Sequence, residues 1–185
     1  MVLYGILTAV CLITGFIATI SDPSDPLLKH PDEIKRDYYC HICQSYLTDE
    51  KSKHCGSCNR CSSGFDHHCK WLNNCVGDGN YSKFIVFTCL SLFHCIFQVV
   101  VVALALEYVQ LWEATTESKE SIVICSTETN HLVVLSVSMA SSGSLLIFLT
   151  YLLAFHIWIN IYGFSTYEYI LWRRMKLKLL AKLKV

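Results

Sequence analysis

Charged residues are scarce in this chain of 185 residues. Asp, Glu, Lys and Arg make up 16% of it, where soluble domains carry about 25%. Neither sign is in excess: 15 cations meet 15 anions, which excludes a globally basic chain of the kind that binds nucleic acid. Intrinsic disorder is excluded as well, because 53% of the residues are hydrophobic and mean hydropathy is positive at +0.40. The charge is missing in blocks. Met1 to Ile20, Phe84 to Leu106 and His131 to Tyr167 hold no Asp, Glu, Lys or Arg. A bilayer crossing takes about 20 apolar residues. The chain therefore reads as a mainly α-helical membrane protein with three transmembrane helices, over 1–20, 84–106 and 132–162. The first reads as a span rather than a signal peptide, since no Lys or Arg precedes Lys29 to form the basic leader of a signal. A span that starts at the first residue, with no polar lead-in, points to a further span upstream that this chain lacks.

The cations that do occur sort by segment. Eight lie within 21–83: Lys29, Lys35, Arg36, Lys51, Lys53, Arg60, Lys70 and Lys83. Segment 107–131 holds Lys119 alone, beside Glu107, Glu113, Glu117, Glu120 and Glu128. Segment 163–185 holds Arg173, Arg174, Lys176, Lys178, Lys182 and Lys184. The positive-inside rule puts 21–83 and the basic tail in the cytosol and makes 107–131 a lumenal loop. The tail interleaves its cations with Leu, Trp and Met, as in an amphipathic helix on an anionic leaflet or a plain stop-transfer flank. His94, Gln98 and His156 sit inside apolar helices, where interhelical hydrogen bonds are the expected role. Cys89 and Cys95 act there as small apolar residues.

Cysteine is the abundant anomaly. Seven of the 11 fall between Cys40 and Cys75. In a reducing cytosol such density reads as metal-binding or catalytic; in a lumenal loop it would read as disulfides. One four-ligand phrase occurs twice, interleaved. Cys40-x2-Cys43-x10-His54-x6-Cys61 is followed by Cys55-x2-Cys58-x9-His68-x6-Cys75. Each phrase offers three thiolates and an imidazole, a common structural zinc set. Two zinc ions would supply the folding energy that a loop with few large aliphatic residues lacks. His41 and His67 are rival ligands, but neither fits the repeat, and His30 sits solvated in a polar linker.

Cys69 is left over. It follows His68 as Cys55 follows His54, but three residues on stands Leu72 where a partner cysteine would be. It ends the run Asp66-His67-His68-Cys69. A thiol must become a thiolate to attack a carbonyl. A neighbouring imidazole can take its proton, and a carboxylate can fix that imidazole's tautomer. The residues alone leave two readings open, a nucleophile or a spare buried cysteine beside a zinc ligand.

This run, with Trp71, Asn74-Cys75-Val76-Gly77, Asn80-Tyr81 and Phe84 after it, resembles the DHHC family of protein S-acyltransferases. Asp22-Pro23 after the first span resembles the family's Asp-Pro-Gly motif, with Ser24 in place of Gly. Ser165-Thr166-Tyr167-Glu168 after the third resembles its Thr-Thr-x-Glu motif. The resemblance implies a palmitoyltransferase that moves a long-chain acyl group from acyl-CoA, its co-substrate, through acyl-Cys69 to cysteines of protein substrates. It implies His67 as base, Asp66 as the group orienting it, and His68 as a zinc ligand. It further implies Thr166 approaching Asp66, Trp71 near the thioester, Asn80 in a structural role, and Lys51 and Lys53 as candidates for the CoA phosphates. The location implied is the Golgi or endoplasmic reticulum membrane, with the zinc module facing the cytosol. The family usually has four spans, and the Lys-Pro stretch between Cys43 and His54 is replaced by Leu47-Thr48-Asp49-Glu50-Lys51. The second reading is therefore a truncated isoform or a catalytically impaired, zinc-bearing membrane adaptor.

Overall fold

A computed structural model describes residues 2–30, 37–115 and 122–183. Long helices form over the three apolar blocks and over the basic tail. α1 covers Val2–Ile20, α2 Tyr81–Thr115, α3 Ile122–Ile161 and α4 Thr166–Leu183. Three helical stretches, Val2–Ile20, Tyr81–Val109 and Leu132–Ile161, are long and apolar enough to cross a membrane. Their outer faces are apolar and exposed: Leu12 is 70% exposed and Ile147 73%. That pattern suits lipid rather than water. α2 and α3 run past the apolar stretches into the segment expected to be a loop over 107–131. No Gly or Pro stands between residues 80 and 143 to stop them. Residues 116–121, Lys119 included, lie outside the described part.

Between α1 and α2 sit three antiparallel hairpins of three-residue strands. β1 (Tyr38–Cys40) pairs with β2 (Ser45–Leu47), β3 (Lys53–Cys55) with β4 (Arg60–Ser62), and β5 (His67–Cys69) with β6 (Asn74–Val76). Each hairpin turns through four residues, and the fourth has positive φ: Gln44 at 52°, Asn59 at 48° and Asn73 at 46°. Left-handed backbone costs Asn and a flexible polar residue less than a β-branched one.

Polar side chains dock this module on the end of α1. The Asn74 amide donates to the carbonyls of Thr19 (3.0 Å) and Ser21 (2.7 Å), satisfying groups left over where the helix stops. Arg60 bridges Asn74 Oδ1 at 2.9 Å and Asp22 at 3.1 Å, and Lys29 pairs with Asp22 at 2.6 Å. Fully buried Asp25 accepts from Thr48, Leu27 and Ser52. Gly77 lets β6 leave closely past β4, since a Cβ there would stand 2.4 Å from the Ser63 carbonyl and 2.7 Å from Ser62 Oγ. Asn80, just before α2, ties the helix start back to β6: it is buried, accepts from the Gly77 amide and donates to the Cys75 carbonyl.

Candidate active site and metal centres

The two predicted ligand phrases close into two clusters. In the first, His54 Nδ1 lies 3.9 Å from Cys40, 3.3 Å from Cys43 and 3.9 Å from Cys61, with Cys43 and Cys61 sulfurs 3.7 Å apart. In the second, His68 Nδ1 lies 3.7 Å from Cys55, 3.3 Å from Cys58 and 4.0 Å from Cys75, with Cys58 and Cys75 3.4 Å apart. A tetrahedral zinc with Zn–S of about 2.3 Å and Zn–N of about 2.0 Å has edges of about 3.5 Å (S···N) and about 3.8 Å (S···S). Both donor sets fit a metal ion of that size. Burial and neighbouring sulfurs push the Cys61 and Cys75 thiols far up. A central cation reverses that preference. The hairpins explain the interleaving: the turn of one supplies two cysteines, and the facing pair of strands in the next supplies the His and the last Cys. His41 and His67 stand outside both clusters.

Cys69 occupies the same hairpin corner as Cys40 and Cys55, but in the third hairpin. Its position is buried, packed with Ala18, Leu72, Val76 and Phe84. Burial opposes ionisation of the thiol, yet neighbouring His67 and the Leu72 and Trp71 amides pull it below its ordinary value. His67 Nδ1 meets Asp66 Oδ2 at 2.6 Å. Burial opposes charge on this imidazole too, but Asp66 and Cys69 outweigh it and raise His67 to about 9. Asp66 is buried, and the bonds from His67 and Thr166 hold its carboxyl down against that burial. Asp66 and Cys69 thus both favour the charged imidazole, and His67 in turn favours the Cys69 thiolate.

The other end of Asp66 is held from 100 residues away by the Thr166 amide, which donates to Oδ1 at 2.9 Å. The local sequence aims it there. α3 ends in a Schellman turn: Gly163 has φ 71°, its amide donates to Asn160, and the Phe164 amide donates to Ile159. Ser165 and Glu168 then form a capping box. The Ser165 amide donates to Glu168 Oε2 at 2.8 Å, and the Glu168 amide to Ser165 Oγ at 3.2 Å. Thr166 is left as the first helical residue of α4, with its orphan amide turned on the carboxylate.

Beside Cys69 opens a cavity of about 480 Å³. The β5 hairpin lines one part of it, from His67 to Leu72, and side chains of α2 and α3 line the rest, mostly apolar (Phe84, Phe87, Leu145, Phe148, Leu149 and Leu152) with Thr88 and Ser91 among them. Trp71, 82% exposed, stacks at a tilt on Phe148 at the rim. Lys51 and Lys53 line a different cavity of about 770 Å³ on the far side of Asp66.

With this site and its two ligand clusters in place, the comparison with known proteins is decisive. The family described as DHHC palmitoyltransferase matches residues 33–173. The chain belongs to the DHHC palmitoyltransferase family. It is 33% identical over 132 residues to palmitoyltransferase ZDHHC15A of Danio rerio, covering 71% of this chain and 36% of that protein. It is 40% identical over 75 residues to palmitoyltransferase ZDHHC2 of Homo sapiens, covering 40% of this chain and 19% of that protein. It is 35% identical over 100 residues to palmitoyltransferase SWF1 of Saccharomyces cerevisiae, covering 54% and 25%. The chain spans about a third or less of the length of the curated relatives it matches.

Sequence reasoning missed a polar group packed against the family's Asp-His pair. His156, placed in a span as a hydrogen-bonding residue, is buried beside His67, with its Nδ1 3.1 Å from the Tyr81 hydroxyl of α2. Its signal was faint: a His and an Asn four residues apart in an apolar helix, one turn before the Ser-Thr-x-Glu run. His94 Nε2 likewise meets Thr8 Oγ1 of α1 at 3.0 Å.

Proposed function

We propose that this chain is a protein S-acyltransferase acting through an acyl-Cys69 intermediate, with acyl-CoA as donor and protein cysteines as acceptors. Cys69 Sγ attacks the thioester carbonyl. The new bond is Sγ–C(acyl), and the bond broken is C–S to CoA, which leaves as a thiolate and takes the proton from His67. A substrate thiol then gives its proton to His67 and attacks the acyl-Cys69 carbonyl, so Cys69 leaves as a thiolate and the proton balance closes. Asp66 orients the His67 ring throughout and stabilises it whenever it is protonated. The observation that carries this reading is a single juxtaposition: the buried Cys69 thiol, with His67 beside it, lines a mostly apolar cavity between α2 and α3. A cavity of about 480 Å³ lies within the usual range of about 300–1,000 Å³ for ligand sites, and its aromatic and leucine walls suit a fatty chain rather than a polar one.

Two zinc ions, one per cluster, hold the hairpins rigid and take no part in the chemistry. Cys40, Cys43, His54 and Cys61 hold one, and Cys55, Cys58, His68 and Cys75 the other. The cation-rich 21–83 segment and α4 face the cytosol of the Golgi or endoplasmic reticulum membrane, where acyl-CoA is found. The domain boundaries follow: spans within 1–20, 84–106 and 132–162, the zinc module within 21–83, the lumenal connection 107–131 and the tail 163–185. The test is incubation of purified chain with an alkyne-tagged palmitoyl-CoA, followed by hydroxylamine. A thioester label on Cys69, absent from Cys69→Ser with metal content unchanged, supports the reading. Metal-replete, folded chain that never labels overturns it in favour of a membrane adaptor.

A further inference from the structure

His156 is a buried polar side chain in a membrane-crossing helix, 2% exposed, with no part in the chemistry so far. Burying an imidazole in an apolar helix costs free energy unless its nitrogens are used. One of them is. Tyr81 opens α2, while His156 and Asn160 lie four residues apart on α3, so both face the same Tyr81 hydroxyl. The Asn160 amide donates to that oxygen at 2.7 Å. The same hydroxyl hydrogen-bonds His156 Nδ1 at 3.1 Å. The contact with Tyr81 fixes the orientation of the His156 ring.

The ring so fixed presses on the reactive pair. A nitrogen of His156, a nitrogen of His67 and an oxygen of Asp66 lie within 4.8 Å of one another. The three are not a cation site, because Asp66 already uses Oδ1 for the Thr166 amide and Oδ2 for His67. The His156 and His67 rings are 5.7 Å apart at 44°. Phe84 turns its ring steeply against both, 5.4 Å from His67 and 5.1 Å from His156. His67 is thus walled by Phe84 and His156 on the membrane side and tied by Asp66 on the other.

On the acyl-transfer reading above, we propose that His156 is a positioning residue. Held by the Tyr81–Asn160 relay, it braces the His67 imidazole through the Phe84 ring cluster and keeps it aimed at Cys69. Packing alone predicts that a ring of any polarity serves; the relay predicts that the polar edge matters. The test uses the full chain in lipid nanodiscs with His156→Phe, His156→Gln and Tyr81→Phe. Each is measured for zinc per chain, for the rate at which iodoacetamide alkylates Cys69, and for kcat and KM of acyl loading. Phe keeps an aromatic ring but cannot bond Tyr81. Gln can both accept from Tyr81 and donate onward. The expected result is two zinc ions and an unchanged KM in all three. In His156→Phe, alkylation and kcat fall about 10-fold to 100-fold, the usual effect of losing an orienting partner. His156→Gln recovers most of the loss, and Tyr81→Phe falls between. Unchanged alkylation in His156→Phe overturns the proposal, and so does joint loss of zinc and alkylation in Phe and Gln alike. The alkylation readout needs no acyl transfer. A wild-type chain that alkylates quickly but never loads acyl sinks the function and leaves this proposal to its own result.

Discussion

His67 and His68 are adjacent and chemically identical, yet the proposed site gives them opposite duties. That makes His67→Ala against His68→Ala the sharpest test of the site. In His67→Ala the ligand set around His68 Nδ1 is untouched, so both metals stay. What is lost is the 2.6 Å bond to Asp66. A hydrogen bond to a buried charge is worth about 1.5–3 kcal/mol. Since Asp66 keeps the Thr166 amide and the His67 side chain is 23% exposed, the lower end applies, about 1.5–2 kcal/mol. The chain stays folded. Acylation, however, loses its proton carrier, which costs about 10²–10⁴ in rate.

In His68→Ala the consequences reverse. The second metal keeps three sulfurs and an open position, while the hairpin β5–β6 that carries Cys69 loses its anchor. Structural zinc contributes about 10–16 kcal/mol to small metal-folded units, so losing a quarter of the ligand set should cost several kcal/mol of local stability. Metal content by plasma mass spectrometry after a chelator wash should read two for wild type and His67→Ala, and one for His68→Ala. Acyl loading should fall in both. Should His67→Ala release zinc while His68→Ala retains two, the ligand register is wrong and the nucleophile assignment fails with it.

The remaining tests probe the supports. Ser165→Ala removes one arm of the capping box, costing about 0.5–2 kcal/mol at the start of α4; it should loosen the Thr166 amide in hydrogen exchange and slow acyl loading. Gly77→Ala puts a Cβ 2.4 Å from the Ser63 carbonyl, so the module should release zinc at a lower urea concentration than wild type, and an unshifted midpoint would refute the close approach. With His67 raised to about 9 and Cys69 lowered, each charged group favours the other. Alkylation of Cys69 should therefore begin at lower pH in wild type than in His67→Ala, where it should rise only as pH nears the ordinary thiol range, about 8.5. A reporter fused after the tail should be cytosolic, and one inserted at Lys119 lumenal; a cytosolic signal at Lys119 would break the three-span topology.

How much of this could be read from sequence depended on the range of the interaction. The apolar blocks and the ligand phrases are local, periodic signals, and each maps on an element of the structure. The pairing of Asp66 with His67 is a contact between neighbours in sequence. Contacts made across the fold leave no such trace. The Ser165–Glu168 capping box is visible as a helix start, but nothing in those four residues says that the freed Thr166 amide points at Asp66. Lys51 and Lys53 have the right charge for phosphate, yet the turn after β2 carries them to the cavity on the far side of Asp66 from Cys69. Tyr81, His156 and Asn160 meet only because α2 and α3 pack side by side.

On the proposed reading, the three hairpins also explain why the nucleophile arises where it does. In each, two turn amides point at the sulfur of the first cysteine: Cys43 and Ile42 at Cys40, Cys58 and Ser57 at Cys55, Leu72 and Trp71 at Cys69. Amide donors favour a thiolate whether or not a metal is bound. In the first two hairpins the second cysteine of the turn and the strand ligands can complete a cation cage, which would make the thiolate inert. In the third, the second cysteine is replaced by buried Leu72, so no cage can close. The Cys69 sulfur instead has His67 beside it, which favours its ionisation and, unlike a metal, can give up a proton. Leu72 also turns the vacated side of the corner apolar and lines the cavity beside Cys69. One substitution in a repeated unit thus both frees the sulfur and builds the wall against which an acyl chain can lie.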